Sequence, residues 1–162
     1  MNLKICEIVT DLEHLNKETL EKALDNNAIK DYAYIIHDKD LKEDGTTKYK
    51  HYHISLRFKY SQDTKNIAKW FNVSENFVSK IKGKYEDSLL YLTHANAPEK
   101  YQYSIEEVKS NFNYLDIIQK YKEKKEKGNN STKDKYRERK EEIINMIDEG
   151  IIREWNSKTT RA

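Results

Sequence analysis

The stretch DYAYIIHDKDLKEDGTTKYKHYHISLRF, residues 31–58, carries the reading of the fold. It holds two runs rich in β-branched and aromatic residues, DYAYIIH at 31–37 and YKHYHISLRF at 49–58, on either side of a polar, glycine-containing loop. Runs of this kind bounded by turn residues form strands, and a short connection suits antiparallel neighbours. In the second run His51 and His53 stand two apart, so both rings project from one face of the strand.

Working outward toward the N-terminus, LKICEIVT at 3–10 reads as a first, central strand with apolar residues on both faces. Asn16 suits the cap of a helix over 17–26, with Leu15 and Leu20 as a hydrophobic staple and Leu20, Ala23 and Leu24 as its inward stripe. Downstream, Ser61 is expected to start a helix whose Ile67, Trp70 and Phe71 fall at i, i+3, i+4. Ser74 is expected to start another, with Phe77, Val78 and Ile81, stopping near Gly83. These two helices would cover one face of the sheet. EDSLLYLTHAN, 86–96, reads as a short helix ended before Pro98. Ser104 and Glu107 have capping-box spacing ahead of IEEVKSNF, which fits a helix or a strand. A helix over 114–126, a break at GNNST (128–132) and a second helix over 133–149 complete the chain. That last helix has Tyr136, Ile143, Ile144 and Ile147 on one stripe, and Gly150 is expected to end it. Apolar density falls between 111 and 131, which places a domain boundary there.

The 162 residues, 36% hydrophobic and 36% charged, suit one compact domain with an appendage, and 12 Tyr, 4 Phe and 2 Trp supply enough large side chains for a core. No apolar run approaches the roughly 20 residues that cross a bilayer, so a transmembrane helix and a membrane partner are excluded. The single Cys6 excludes an intramolecular disulfide framework and a Cys-based zinc module. The first residues, MNLKICEIVTDLEHLNK, lack the pattern of a signal peptide, and a cytoplasmic location is expected. One Pro and 4 Gly leave no room for a glycine-rich phosphate loop. The formal charge of +2 hides an asymmetry: residues 119–142 hold 10 basic and 6 acidic side chains, the remainder 20 and 22. A basic stretch of that kind fits phosphate contact or a solvated helix face.

If the two strands of 31–58 pair, the end of the first brings His37 and a loop carboxylate to the patch that holds His51 and His53. Asp40, three residues beyond His37, can curl back to that patch, whereas Asp38 points to the opposite side. Neutral imidazoles with one carboxylate suit a transition metal or Mn²⁺ and leave positions open on an octahedral ion. An H-x-H pair by itself equally fits strand histidines bonded to their neighbours, and Asp38, Lys39 and Asp44 fit a solvated turn.

The order HDKD (37–40), KYKHYH (48–53) and YLTH (91–94) resembles the plasmid replication initiators of rolling-circle replicons, in the HUH endonuclease superfamily named for a His-hydrophobic-His strand. The similarity covers about residues 1–120; Tyr52, where an aliphatic residue is usual, is a mild departure. The resemblance implies an α+β fold, a ferredoxin-like antiparallel sheet with packed helices, with 121–162 as a charged linker and C-terminal helical segment, either naturally short or cut. It implies a metal site of His37, Asp40, His51 and His53 for Mn²⁺ or Mg²⁺, and Tyr91 as the nucleophile. The implied reaction is nicking and strand transfer at the double-strand origin, topoisomerase-like in that one ester replaces another, through a 5′-phosphotyrosyl link that leaves a 3′-OH primer. The implied partners are plasmid origin DNA, single-stranded at the nick, and the host replication machinery, with a homo-oligomer left open.

The residue types suit that reaction. A cation withdraws charge from a phosphodiester, and a tyrosine, whose free pKa is about 10, needs help to act as a nucleophile at neutral pH. Tyr91 lies among Leu89, Leu90 and Leu92, however, where a packed tyrosine is the ordinary outcome, and Tyr85 is the second candidate nucleophile. His94, three residues on, either orients that helix or hydroxyl or is structural; His14 reads as surface. Lys48, Lys50, Arg57, Lys80, Lys82 and Lys84 form a candidate DNA rim, with Lys59 beside it, and each also fits a solvated surface. Tyr49, Tyr60, Tyr101 and Tyr103 are candidates for stacking on unpaired bases or for packing. The competing readings are a relaxase or transposase of the same superfamily, and a non-catalytic DNA-binding protein in which the metal is structural.

Overall fold

A computed structural model describes the backbone of residues 1–148 and the side chains of 1–128, 137 and 139–141. The chain divides into two compact units, Met1–Ile118 and Gln119–Ala162. The first contains strand β1 (Asn2–Asp11), helix α1 (Lys17–Leu24), β2 (Ile29–His37), β3 (His51–Asp63), α2 (Thr64–Phe71), β4 (Val78–Lys80), α3 (Tyr85–Leu92) and β5 (Lys109–Ser110). All pairings are antiparallel and the order across the sheet is β4-β1-β3-β2-β5. Strands 4-1-3-2 with helices after β1 and β3 make the ferredoxin-like α+β arrangement; β1 is an interior strand, between β3 and β4, and the central strand is β3.

The alternation of β3 divides the sheet into two faces. Tyr52, Ile54, Leu56 and Phe58 are buried in one cluster with Ile8, Leu20, Ile67 and Phe71, so α1 and α2 cover this face. Complete burial of such side chains is worth about 1.5–3 kcal/mol each. His51, His53, Ser55 and Arg57 point to the other face, where α3 packs across β2 and β3. Asn16 caps α1, its side chain accepting from the Thr19 N–H at 2.8 Å.

Two local readings are corrected and a third, left open, is resolved. Ser61 starts no helix: β3 continues through it, because Gln62 and Asp63 pair with Leu3 and Asn2, and Asp63 caps α2 through the Lys65 N–H at 2.8 Å. The segment after Ser74 is a single 3-10 turn, Glu75–Phe77, followed by β4, because Val78 pairs with Ile8 on the open edge of β1. An edge strand supplied by distant pairing overrides a local helical pattern there. IEEVKSNF divides in two: Ser104 and Glu107 do form a capping box, on a 3-10 turn at Ile105–Glu107, and β5 follows.

The last helix, α4 (Tyr114–Asp148), runs through the GNNST segment without the expected break. Five non-proline residues flanked by Lys and Glu cost a helix only about 0.5–1 kcal/mol each. The expected stripe of Tyr136, Ile143, Ile144 and Ile147, and the stop at Gly150, lie outside the residues and side chains described. Among the described residues no helix is long and apolar enough to cross a membrane.

Candidate active site

Register builds the centre of the site. His37 ends β2, His51 begins β3, and the two are direct partners, with Ile35 opposite His53. The ring centroids lie 5.4 Å apart for His37 and His51, 4.6 Å for His37 and His53, and 5.4 Å for His51 and His53. Ligand atoms of these three residues all lie within 4.8 Å of one another. Tyr52, between the paired histidines, is buried in the opposite core and anchors the strand.

The loop after β2 returns Asp40 to this cluster. Its carbonyl accepts from the Lys48 N–H at 2.7 Å, which closes the loop, and its Oδ2 lies 3.2 Å from His37 Nδ1 and 3.4 Å from His51 Nε2. Tyr103 holds the other oxygen: its hydroxyl donates to Asp40 Oδ1 at 2.8 Å while accepting from the Lys39 N–H at 2.9 Å. Tyr103 is therefore buried and structural at this site, not a base-stacking residue. Asp38 does turn to the other face, where it lines a hollow with Lys50 and Tyr52.

Backbone carbonyls set the tautomers. His37 Nε2 is 2.6 Å from the Leu92 carbonyl and His51 Nδ1 is 2.8 Å from the Tyr49 carbonyl. A carbonyl only accepts, so each of those nitrogens carries the proton, and a neutral ring turns a bare lone pair, Nδ1 of His37 and Nε2 of His51, toward the Asp40 carboxylate. His37 Nδ1 is buried and, despite its closeness to Asp40, makes no hydrogen bond among the described residues. Lone pairs facing a carboxylate repel it unless a cation lies between them. Imidazoles tied back through their second nitrogen, beside an oriented carboxylate, are what a divalent metal requires, so the residues present fit one.

The electrostatics agree. Burial, then the His37 and His51 rings, push His53 down to about 3. Burial likewise lowers His37, against the opposing pull of the Leu92 carbonyl and Asp40. Both are then neutral near pH 7, the form that binds metal. Burial alone would raise Asp40, but the Tyr103 hydrogen bond helps hold its carboxyl below the usual range.

Tyr91 enters from α3. That helix is fixed to the sheet by the Ser55–Ser88 hydroxyl pair at 2.6 Å and to the start of α4 by the Tyr114 hydroxyl, which donates to the Leu89 carbonyl at 2.5 Å. The Tyr91 ring is half-buried, 5.6 Å from His53 and 4.8 Å from His94, and its hydroxyl accepts a hydrogen bond from Lys100 Nζ at 2.8 Å. That bond raises the Lys100 pKa, so the ammonium stays charged. Tyr85 is the first residue of α3 rather than a residue before it. It is buried, its hydroxyl aims at the Ser55 and Asp31 carbonyls at 3.3 and 3.4 Å, and burial pushes its pKa well up. Its surroundings are those of a packing residue.

The proposed DNA rim separates into groups. Lys48 lines a cleft with Lys39, Asp40, Leu41, Lys100 and Tyr101, beside the histidines. Lys50 lies toward the Asp38 hollow. Arg57 is already engaged: Asp31 accepts from its guanidinium, which lies 5.1 Å from the Tyr85 ring centroid. Lys80 pairs with Cys6, itself opposite Leu56, five residues along β3 from His51, or about 17 Å at the strand rise. Lys80, Lys82 and Lys84 are exposed, and the register sets Lys80 well apart from the histidines. Tyr49, Tyr60 and Tyr101 expose ring surface, with Lys39 over Tyr101 at 5.0 Å. His14 is exposed and paired to Asp11 at 2.7 Å. Sequence reading missed Lys100 and the role of Tyr103. Both follow the turn after α3 at no motif spacing, and no local signal marks them.

Residues 5–118 match the family model described as plasmid replication protein, origin binding domain. The chain is 42% identical over 169 residues to the "Replication protein" of onion yellows phytoplasma, covering 96% of this chain and 43% of that protein. It is 34% identical over 68 residues to "Replication protein RepB" of Lactiplantibacillus plantarum, covering 42% of this chain and 31% of that protein. The chain thus spans less than half the length of these curated relatives. With the sheet, the helices and the match over 5–118 in agreement, the chain belongs to the family of plasmid replication protein origin-binding domains.

Proposed function

We propose that this protein nicks one strand of a plasmid origin with Tyr91 and a divalent metal, and so initiates rolling-circle replication. The observation that carries the reading is the Tyr91 ring, its hydroxyl held by a charged lysine, beside a cluster whose imidazole lone pairs converge on one carboxylate. His37, Asp40, His51 and His53 are the residues that would hold the ion. Several imidazole donors favour Mn²⁺ over Mg²⁺, which prefers oxygen ligands. When bound, the ion supplies Lewis-acid stabilisation of charge on the phosphate.

The chain's own residues do the rest. Tyr91 Oη forms the bond to phosphorus, the bond from phosphorus to the 3′ oxygen breaks, and the departing oxygen takes up a proton as a 3′-OH. The tyrosine hydroxyl gives its proton up to solvent. Lys100, charged and with donors only, cannot receive that proton; it steadies the oxygen and stabilises negative charge as the phenolate develops. Because one phosphoester replaces another, the step reverses without a nucleotide cofactor. Lys48 and Lys39 beside the cleft supply phosphate contacts, and Tyr49 and Tyr101 offer surfaces on which unpaired bases stack.

The test is a single-stranded oligonucleotide carrying the plasmid's own nick site, labelled at its 3′ end and incubated with protein and Mn²⁺. A covalent protein–DNA band that EDTA prevents and Tyr91→Phe abolishes is expected. A band that persists in Tyr91→Phe removes the nucleophile assignment; binding without cleavage in any divalent metal favours a non-catalytic origin-binding domain.

A further inference from the structure

His94 is built into the site at an energetic cost that packing does not account for. It follows the end of α3 with φ at +61°, in the left-handed region. Its N–H donates to the Tyr91 carbonyl at 3.1 Å, and the next N–H, of Ala95, reaches back to the Leu90 carbonyl at 3.0 Å. That pair of bonds closes a helix onto a left-handed residue, a position that glycine takes freely and that strains a side-chain-bearing residue. The chain is bound there on both sides, since the His94 carbonyl accepts from the Ala97 N–H at 3.0 Å and the Thr93 carbonyl from the Tyr103 N–H at 3.2 Å.

The imidazole so placed is 1% exposed, with its centroid 4.6 Å from that of His37 and 5.5 Å from that of Tyr103. Its Nδ1 is 2.7 Å from the Tyr101 carbonyl and therefore carries the ring proton. The bare nitrogen, Nε2, is buried and has no hydrogen-bond partner among the described residues. Leaving such an acceptor unpaired adds a desolvation cost. An aromatic contact would be served as well by a phenylalanine, which has no acceptor to strand. The ligand atoms of His94, His37 and Asp40 all lie within 4.8 Å of one another, a second cluster that shares His37 with the His51 and His53 group.

We infer that His94 Nε2 is a further protein ligand of the divalent ion, on the Asp40 side of His37, beyond the four residues of HDKD and HYH. This rests on the metal reading above. It ties the metal to the helix end that carries Tyr91, so that the nucleophile and the ion are positioned by one turn of backbone.

The experiment titrates the 162-residue chain with Mn²⁺, following free ion by its electron paramagnetic resonance signal and bound ion by water-proton relaxivity. His94→Gly suits the left-handed backbone and should leave metal-free thermal stability equal or higher. It should weaken Mn²⁺ binding at least about tenfold, no less than the loss produced by removing an outer partner of a ligand. It should also raise the relaxivity of each bound Mn²⁺, because water takes the vacated position. His94→Asn, also tolerant of that backbone, is the second variant and should behave alike if glycine loosens the turn. Weakening below tenfold, or unchanged relaxivity in a folded variant, overturns the ligand role. Failure of the wild-type chain itself to bind Mn²⁺ overturns the metal reading instead; where the wild type binds, His51→Ala should weaken binding whether or not His94 is a ligand, so a loss in His51→Ala without one in His94→Gly overturns the His94 role alone.

Discussion

Removing the Lys100 ammonium should slow strand cleavage without loosening DNA binding. The hydroxyl of Tyr91 is neutral before reaction, so its 2.8 Å bond to Lys100 Nζ strengthens only as the phenolate charge develops. At that separation a full charge pair is worth about 1.5 kcal/mol in bulk water and about 6 kcal/mol at an effective dielectric of 20. Lys100 is exposed, which places the effect at the low end, about 1.5–2 kcal/mol, or roughly 10- to 30-fold in rate. The substitution is Lys100→Met, which keeps much of the aliphatic stem, with Lys100→Arg restoring the charge. The assay is single-turnover cleavage of a saturating single-stranded origin oligonucleotide in Mn²⁺, with affinity measured separately. Lys100→Met should lose the stated factor in the cleavage rate, and Lys100→Arg should recover a large part of it. A rate within threefold of wild type, or a defect wholly in affinity that higher DNA concentration repairs, refutes the argument.

Further consequences follow from the same geometry. Tyr103→Phe removes the donor to Asp40 and the acceptor for the Lys39 N–H, and should weaken Mn²⁺ binding about 10- to 100-fold in a calorimetric titration. His53, held at about 3 in the fold against about 6.5 unfolded, takes up a proton on unfolding anywhere between those values, so metal-free protein loses stability as pH falls from about 6.5. Chemical denaturation in EDTA should register about 2 kcal/mol of this loss between pH 7 and pH 5, and His53→Gln should flatten it. Tyr85→Phe should keep cleavage near wild type while lowering the melting temperature, because the hydroxyl bonds only to carbonyls under the sheet.

The centre of the site was readable because it is local. His51 and His53 share a face by strand alternation, His37 and Asp40 are three residues apart across the strand end, and one short loop joins the pieces. His94, Lys100 and Tyr103 were not readable in their roles, since each depends on the turn after α3 folding back on the sheet. The contact between Tyr103 and Asp40 spans 63 positions and obeys no spacing rule. The helix expected from Ser61 forms as α2 but starts three residues later, and the helix expected from Ser74 gives way to β4, for a similar reason. Partner strands at Asn2–Leu3 and Ile8 claimed Gln62–Asp63 and Val78, and pairing across the chain outweighed the local helix signals there. Lys48 and Arg57, alike as basic residues flanking a histidine strand, differ because Asp31 already engages one of them.

The central claim, that Tyr91 attacks the scissile phosphate, is tested most directly by locating the nucleotide in the covalent adduct. Cleavage after Lys84 and Lys100 releases YEDSLLYLTHANAPEK, 85–100, which contains both candidate tyrosines. Tandem mass spectrometry of nuclease-trimmed adduct should place the nucleotide mass on Tyr91; its placement on Tyr85, or on any peptide other than this one, would contradict the account.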